Sequence, residues 1–163
     1  MDVSLLIIWV LFGIADRAIA SCPILTDSNL RSQVQSYVDS SHACGDINTW
    51  DISQCTKLDF VFTYNDDFDS DISNWNTAGV TSMTRTFQGA TSFNGDLSNW
   101  NVSNVKSLIN TFDGATSFNG NLSNWDMSSV KYLYGTFKSA RSFTGDGVSN
   151  WDTSTVMNLA QTF

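Results

Sequence analysis

Glutamate is absent from this chain: all sixteen acidic residues are aspartates, and with eight Lys and Arg they set the formal charge at -8. Without that good helix former, and with Asp, Asn, Ser and Gly abundant, the composition favours short elements joined by many turns over long helices. The acid excess points away from nucleic acid as a partner, because phosphate backbones are held by basic surfaces. Histidine occurs once, at His42, with no partners at ligand spacing, and Cys22, Cys44 and Cys55 fit neither a CxxC redox motif nor a zinc site. His42 beside Asp39 and Ser40 is no triad either, since triads are assembled by geometry rather than by adjacency. No cofactor and no enzymatic activity are expected. Long apolar runs are missing too: Val3 to Ile14 is only twelve residues, too short to span a bilayer comfortably, so the mature chain should carry no membrane span.

What is present suits one domain with a real core, 42% of residues being hydrophobic and 13% aromatic. The short apolar run is followed by Ala18-Ile19-Ala20, the small residues a signal peptidase needs, and residues 1–20 are therefore expected to be a secretory signal peptide despite Asp2 at the basic position. A buried N-terminal helix is one alternative. A lipoprotein box, Ile19-Ala20-Ser21-Cys22 with Cys22 lipidated, is another, although Asp16 and Arg17 interrupt its apolar approach.

Residues 92–105 read SFNGDLSNWNVSNV and residues 117–130 read SFNGNLSNWDMSSV. The echo is part of a longer period. Trp50, Trp75, Trp100, Trp125 and Trp151 fall at intervals of 25, 25, 25 and 26, and Phe62, Phe87, Phe112, Phe137 and Phe163 follow each by twelve. Phe68, Phe93, Phe118 and Phe143 form another column, as do Leu58, Met83, Leu108, Leu133 and Leu159, and Cys55 shares a column with Val80, Val105, Val130 and Val156. A fixed period of this length is a solenoid signature, in which each coil is the wall its neighbour packs against.

Within a unit, Val105, Leu108 and Phe112 stand at i, i+3, i+7, the spacing of one helix face, with Ser103 in N-cap position; Phe118 and Leu122 are separated by an even number, as along a strand. The pattern therefore predicts an α/β, leucine-rich-repeat-like solenoid of about five 25-residue coils, each a short parallel strand plus a short helix. The Trp-Asx pairs, where Asp and Asn interchange at residues 51, 76, 101, 126 and 152, are read as Asx turns bending the chain out of the strand. Gly45, Gly95, Gly120 and Gly145, with Ser70 the exception, are read as providing space or unusual dihedrals where coils approach closely, and an insertion near Gly147 should bulge the last coil. Ahead of the repeats, Leu30, Val34, Tyr37 and Val38 lie at helical spacing after Asp27 and Ser28, giving a capping helix for the first coil. The expected organisation is residues 1–20 signal peptide, 21–44 capping segment, and 45–163 repeats, divided 45–69, 70–94, 95–119, 120–144 and an incomplete 145–163. Export permits a disulfide, with Cys22–Cys44 tying down the cap and Cys55 buried as the preferred arrangement.

The recurring Phe-Asn, Ser-Asn-Trp-Asx and Val-x-x-Met/Leu-x-x-x-Phe segments over about Gly45 to Phe163 resemble the BspA-type leucine-rich-repeat surface proteins, whose units read approximately FNQDISNWDTSNVTNMSGMF. The resemblance implies an exported solenoid of microbial surfaces, some of whose relatives bind host or matrix proteins, and it implies no catalytic residues.

Candidate sites are few. Asp67, Asp69 and Asp71 offer alternating oxygens that a calcium ion would use, but the EF-hand glycine and distal Glu are missing and a solvated acidic loop is the plainer expectation. Asn101 and Asn121 head sequons. The five tryptophans are either a corner of the core, the favoured alternative, or an exposed aromatic rail for glycans. The function expected is a secreted or cell-surface, non-catalytic scaffold that binds an extracellular protein or glycan. The alternative is a structural coat protein self-associating through an open C-terminal end.

Overall fold

The computed structural model describes residues 22–41 and 44–163, so the segment read as a signal peptide and His42 lie outside the described residues. Helix α1, Leu30–Val38, forms where the capping helix is expected, with Leu30 and Val34 buried and Tyr37 and Val38 packed against the core. It is not capped by Asp27 or Ser28. Asn29 occupies the N-cap without a capping bond; its amide instead donates to the Ile24 carbonyl and accepts from the Thr26 N–H. The helix closes through Ser40 in a left-handed conformation (φ 55°).

Beyond α1 the expected coil of strand plus helix does not occur. Among the described residues there is no sheet and no second α-helix; the remaining elements are two 3₁₀ turns, Ile47–Thr49 and Val148–Asn150, and single parallel bridges linking Lys57, Ser82, Ser107, Tyr132 and Asn158. The α/β assignment is thus overturned, and the reason lies in the backbone of the segment read as helix. An α-helix directs each N–H to the carbonyl four residues back. Here Val61, Thr63 and Asn65 bond three residues back, while Leu58, Phe60, Phe62 and Tyr64 donate out of the coil to the carbonyls of Ser82, Thr84, Thr86 and Gln88, at 2.8 to 3.0 Å. Left-handed residues, Phe60 and Tyr64 in this coil and Asn110 and Gly114 two coils on, reset the chain after each turn. The same four donors recur at Met83, Arg85, Phe87 and Gly89 and at Leu108, Asn110, Phe112 and Gly114. Coil-to-coil pairing therefore sits in the supposed helix, and the coils are built of turns. The stretch read as strand pairs through side chains instead: Asn94, Asn119 and Thr144 donate their N–H groups to the side-chain oxygens of Asp69, Asn94 and Asn119, at 2.8 to 2.9 Å.

The inward columns are the expected ones. Val105, Leu108, Phe112, Phe118 and Leu122 are wholly buried. Phe87 and Phe112 stack 5.5 Å apart between coils, and each meets the second phenylalanine of its own coil at 4.1 and 4.0 Å. Gly120 leaves room for that second ring, since a Cβ there would stand 2.9 Å from Phe118 Cε2. The extra residue of the last coil is absorbed at Gly147, left-handed (φ 88°) and lying 2.6 Å, at its missing Cβ, from the Ser123 amide nitrogen.

A column not singled out in the sequence adds a buried polar thread. Thr86, Thr111 and Thr136 each precede a core phenylalanine and Thr162 precedes the exposed Phe163; all four hydroxyls donate to carbonyls of the coil before, Thr111 to Met83 at 2.8 Å and Thr136 to Leu108 at 3.0 Å. The first coil has Val61 there, where α1 replaces a preceding coil. Thr111→Val should lower stability by about 1 kcal/mol in urea unfolding, and Val61→Thr should lower it too, because its buried hydroxyl would find no carbonyl of a preceding coil.

Candidate functional site

The tryptophans line the core and not a rail. Trp75, Trp100 and Trp125 are 2 to 3% exposed. Each indole N–H donates to a carbonyl of the preceding coil: Trp75 to Ile47 at 2.8 Å, Trp100 to Ile72 at 3.1 Å, Trp125 to Leu97 at 3.1 Å, and half-buried Trp151 to Leu122 at 3.1 Å. Trp50, whose preceding coil is the cap, donates to Cys44. Phe62, Phe87, Phe112 and Phe137 are buried in the same core, while Phe163 is 74% exposed.

Cys22 and Cys44 are joined in a disulfide, so the Cys22 sulfur is not open to a lipid. Cys55 is the free thiol and is buried; that burial, with Asp27 and Asp51 adding to it, pushes its pKa up to about 11, which keeps it a protonated, unreactive core residue.

Trp50, Trp75, Trp100 and Trp125 are each flanked by two Asx turns, and Trp151 is followed by one. Before the tryptophan, Asp46, Asp71, Asp96 and Asn121 accept the N–H two residues on; after it, Asp51, Asn76, Asn101, Asp126 and Asp152 do the same. The sequon residues Asn101 and Asn121 are thus exposed turn formers whose side-chain oxygens are already engaged. The calcium candidates do not converge. Asp69 accepts from the Asn94 N–H, Asp71 from Ser73 N–H and the Asn48 amide, and Asp67 lines an open recess beside Tyr37 and Phe68. Among the described residues, no group of three or more His, Cys, Asp or Glu could hold a metal ion.

The turn bonds set an acid limit. The Ser53 hydroxyl and N–H hold Asp51 below the ordinary 3.8, the Ser73 N–H and hydroxyl do so for Asp71, and Asp96, Asp126 and Asp152 are lowered in the same way. A lowered folded-state pKa means that the stabilisation is complete above the unfolded value and is lost as pH falls through the folded one. The melting temperature should therefore be flat from pH 7 to about 5 and fall steadily below about 3.8; a melting temperature unchanged down to pH 2 would show that the turns contribute nothing.

Charge is sorted between faces. The tryptophan-Asx segments carry Asp46, Asp51, Asp71, Asp96, Asp126, Asp146 and Asp152 and not one basic residue. The bridge face, residues 56–64 with 81–89, 106–114, 131–139 and 157–163, carries Lys57, Arg85, Lys106, Lys131 and Lys138 against Asp59 and Asp113. Both of those carboxylates are occupied, Asp59 by the Ser82 hydroxyl and the Thr84 N–H, Asp113 by the Gln88 amide. None of the five basic side chains forms an ion pair with a described residue. Aromatic side chains share this face. The guanidinium groups of Arg31 and Arg85 lie 5.9 and 5.5 Å from the centroid of the Phe60 ring. The Tyr64 ring, 70% exposed, lies down over Gly89, where any Cβ would collide with it, and Tyr132 and Tyr134 project from the fourth coil. Sequence reasoning had passed over this face because its outward positions do not repeat; the signal was the restriction of most basic residues to one stretch of each unit.

At the cap, Asp27 completes the stack. In later coils the N–H groups of Thr81, Lys106 and Lys131 donate to the carbonyl one coil back. Thr56 has no such carbonyl, and the Asp27 carboxylate stands in, accepting from Thr56 N–H at 2.7 Å, Lys57 N–H at 2.9 Å and the Thr56 hydroxyl at 2.6 Å. Burial works against that charge, but the Thr56 hydroxyl and the two N–H groups outweigh it and hold the Asp27 pKa below its ordinary value.

A family model described as "Mycoplasma protein of unknown function, DUF285" matches the chain over residues 29–147 and again over 120–163. No curated protein and no solved structure matches it.

Proposed function

We propose, for a chain that belongs to the DUF285 repeat family, the role of a secreted or cell-surface scaffold of the BspA type that binds an extracellular protein or glycan and catalyses nothing. The observation that carries this reading is the contrast between inward and outward columns. Inward positions keep Trp, Phe and Leu or Met from coil to coil. Outward ones on the bridge face change freely, Lys57, Ser82, Ser107, Tyr132, Asn158 in one column and Asp59, Thr84, Ile109, Tyr134, Ala160 in the next. A fixed frame presenting a varied row of side chains is the build of a recognition surface. The resemblance of the repeat unit to BspA-type surface proteins adds the expectation of export. A second reading, a coat protein associating through its fifth coil, draws on the exposure of Met157, Leu159 and Phe163.

The test is an array of matrix proteins and polysaccharides probed with the mature chain, with sedimentation in parallel. Saturable binding by a monomer supports the scaffold; an array with no binder and ligand-free, concentration-dependent assembly would replace it with the coat protein.

A further inference from the structure

We infer that the bridge face is a binding site for an anionic polysaccharide, a chain bearing carboxylates or sulfates, laid along the stack across the first four coils. This rests on the scaffold reading above and assigns it a surface and a ligand class.

Four observations lead there. The first is the charge: Lys57, Arg85, Lys106, Lys131 and Lys138 collect on one face of a molecule whose net charge is -8 and form no ion pairs there, Lys57 having a carboxylate, that of Asp27, near enough to feel its charge. A net-basic face, five cations against Asp59 and Asp113, in an oppositely charged molecule is not accounted for by solubility. Second, aromatic groups stand at both ends of the row, Phe60 and Tyr64 on the first coil and Tyr132 and Tyr134 on the fourth, with Arg85 and Lys106 on the coils between and Lys131 beside Tyr132. Coils spaced about 5 Å apart place the two ends about 15 Å from each other, the reach of an extended polymer and not of a small molecule. Third, the Tyr64 ring is fixed flat by the absence of a Cβ at Gly89, with its other side in solvent. A flat apolar ring beside cations suits a sugar ring that carries its charge on the rim. Fourth, the cations are sparse, about one per coil, and the tryptophan-Asx face beside them is strongly acidic. Duplex nucleic acid, with a charge every ~1.7 Å, would meet that repulsion over its whole length, whereas a polymer with charge at wider intervals is matched by the row.

The experiment uses the mature chain, with heparin as the sulfated probe, polygalacturonate as the carboxylated probe, neutral dextran and a single-stranded oligothymidylate, titrated by isothermal calorimetry at two salt concentrations. Heparin, polygalacturonate or both should bind, more weakly at the higher salt, and dextran should not; the tighter of the two tells sulfate from carboxylate. The double variant Lys106→Glu/Lys131→Glu should weaken binding at least about tenfold, the loss of two charge-assisted contacts, and Tyr64→Ala should weaken it with no change in salt dependence. Near-ultraviolet circular dichroism of the buried tryptophans confirms that both variants are folded. Undiminished heparin binding by the folded charge-reversed variant would place the site elsewhere and overturn this inference. So would oligothymidylate binding more tightly than either polysaccharide. If no anionic polysaccharide binds while the array yields a protein or neutral-glycan ligand, this inference falls and the scaffold stands; if the array is also empty, both fall.

Discussion

Replacing Trp100 by alanine should lower the unfolding free energy by about 3 to 5 kcal/mol, the usual cost of removing a large buried aromatic side chain. Three losses combine. The ring is 2% exposed, so its excision leaves a void that coils fixed on both sides by backbone bonds cannot close. Its stacking on Trp75, at 6.1 Å, and its tilted contact with Phe87, at 6.0 Å, disappear. The indole N–H also ceases to reach the Ile72 carbonyl at 3.1 Å, which is then one partner short in a buried position. Ser98→Ala, two residues away, should stay within about 0.5 kcal/mol. Denaturant unfolding followed by tryptophan fluorescence measures both; a Trp100→Ala protein with the parent's midpoint would contradict the packing described here.

The second large effect belongs to the cap. Breaking the Cys22–Cys44 bond, by reduction or by Cys22→Ser with Cys44→Ser, should cost about 3 kcal/mol, as expected for a loop of this size on the chain-entropy account. The bridge spans 22 residues and encloses α1. It also fixes the chain at the Cys44 carbonyl, which takes the Trp50 indole N–H at 3.2 Å, while Tyr37 meets the Trp50 ring edge-on at 5.8 Å. Freed of the bridge, α1 is held by its apolar face, the Tyr37 hydroxyl bond to Ser70, the Arg31–Phe60 contact and the Asp27 contacts. Hydrogen exchange at the Thr56 and Lys57 amides, both held by Asp27, reads the change directly. Faster exchange there, with protection at Leu108 and Phe112 intact, is the expected result. Equal protection with and without the bond would mean that packing alone retains the cap.

How far the sequence could lead depended on which property it encodes. Burial was legible: Val105, Leu108 and Phe112 face inward as their spacing implies, and the period located the tryptophan and phenylalanine columns. The element carrying them was not. Spacing of i, i+3, i+7 arises from a helix and equally from successive three-residue turns reset by left-handed residues, and burial alone cannot separate the two. A fainter signal existed in the columns holding Asn110 with Gly135 and Gly89 with Gly114, residues that tolerate a positive φ where a helix would disfavour them. Arg85 and Phe60 share the first of those columns and hide it. The Asx turns after the tryptophans were legible because each is closed within three residues beside an invariant column; those before them, at Asp46, Asp71, Asp96 and Asn121, were not evident as turns. Asp27 was not, since its partners lie 29 and 30 positions away, and nothing nearer distinguished it from a helix cap.

The direction of the bonds along the bridge face carries a consequence for how such a molecule changes. Leu58, Phe60, Phe62 and Tyr64 all donate toward the following coil, and their counterparts in the next coils do likewise. A coil is therefore a directed unit, with donors on one rim and acceptors on the other. Removing 25 residues, such as 95–119, would rejoin every column in register, and duplicating them would lengthen the array by one equivalent step. Removing 24 would turn inward side chains outward from that point on. Reversing a coil would set N–H against N–H. Growth and shrinkage by whole units are the inexpensive edits to a gene of this design, and they alter the length of the displayed row without redesigning its frame.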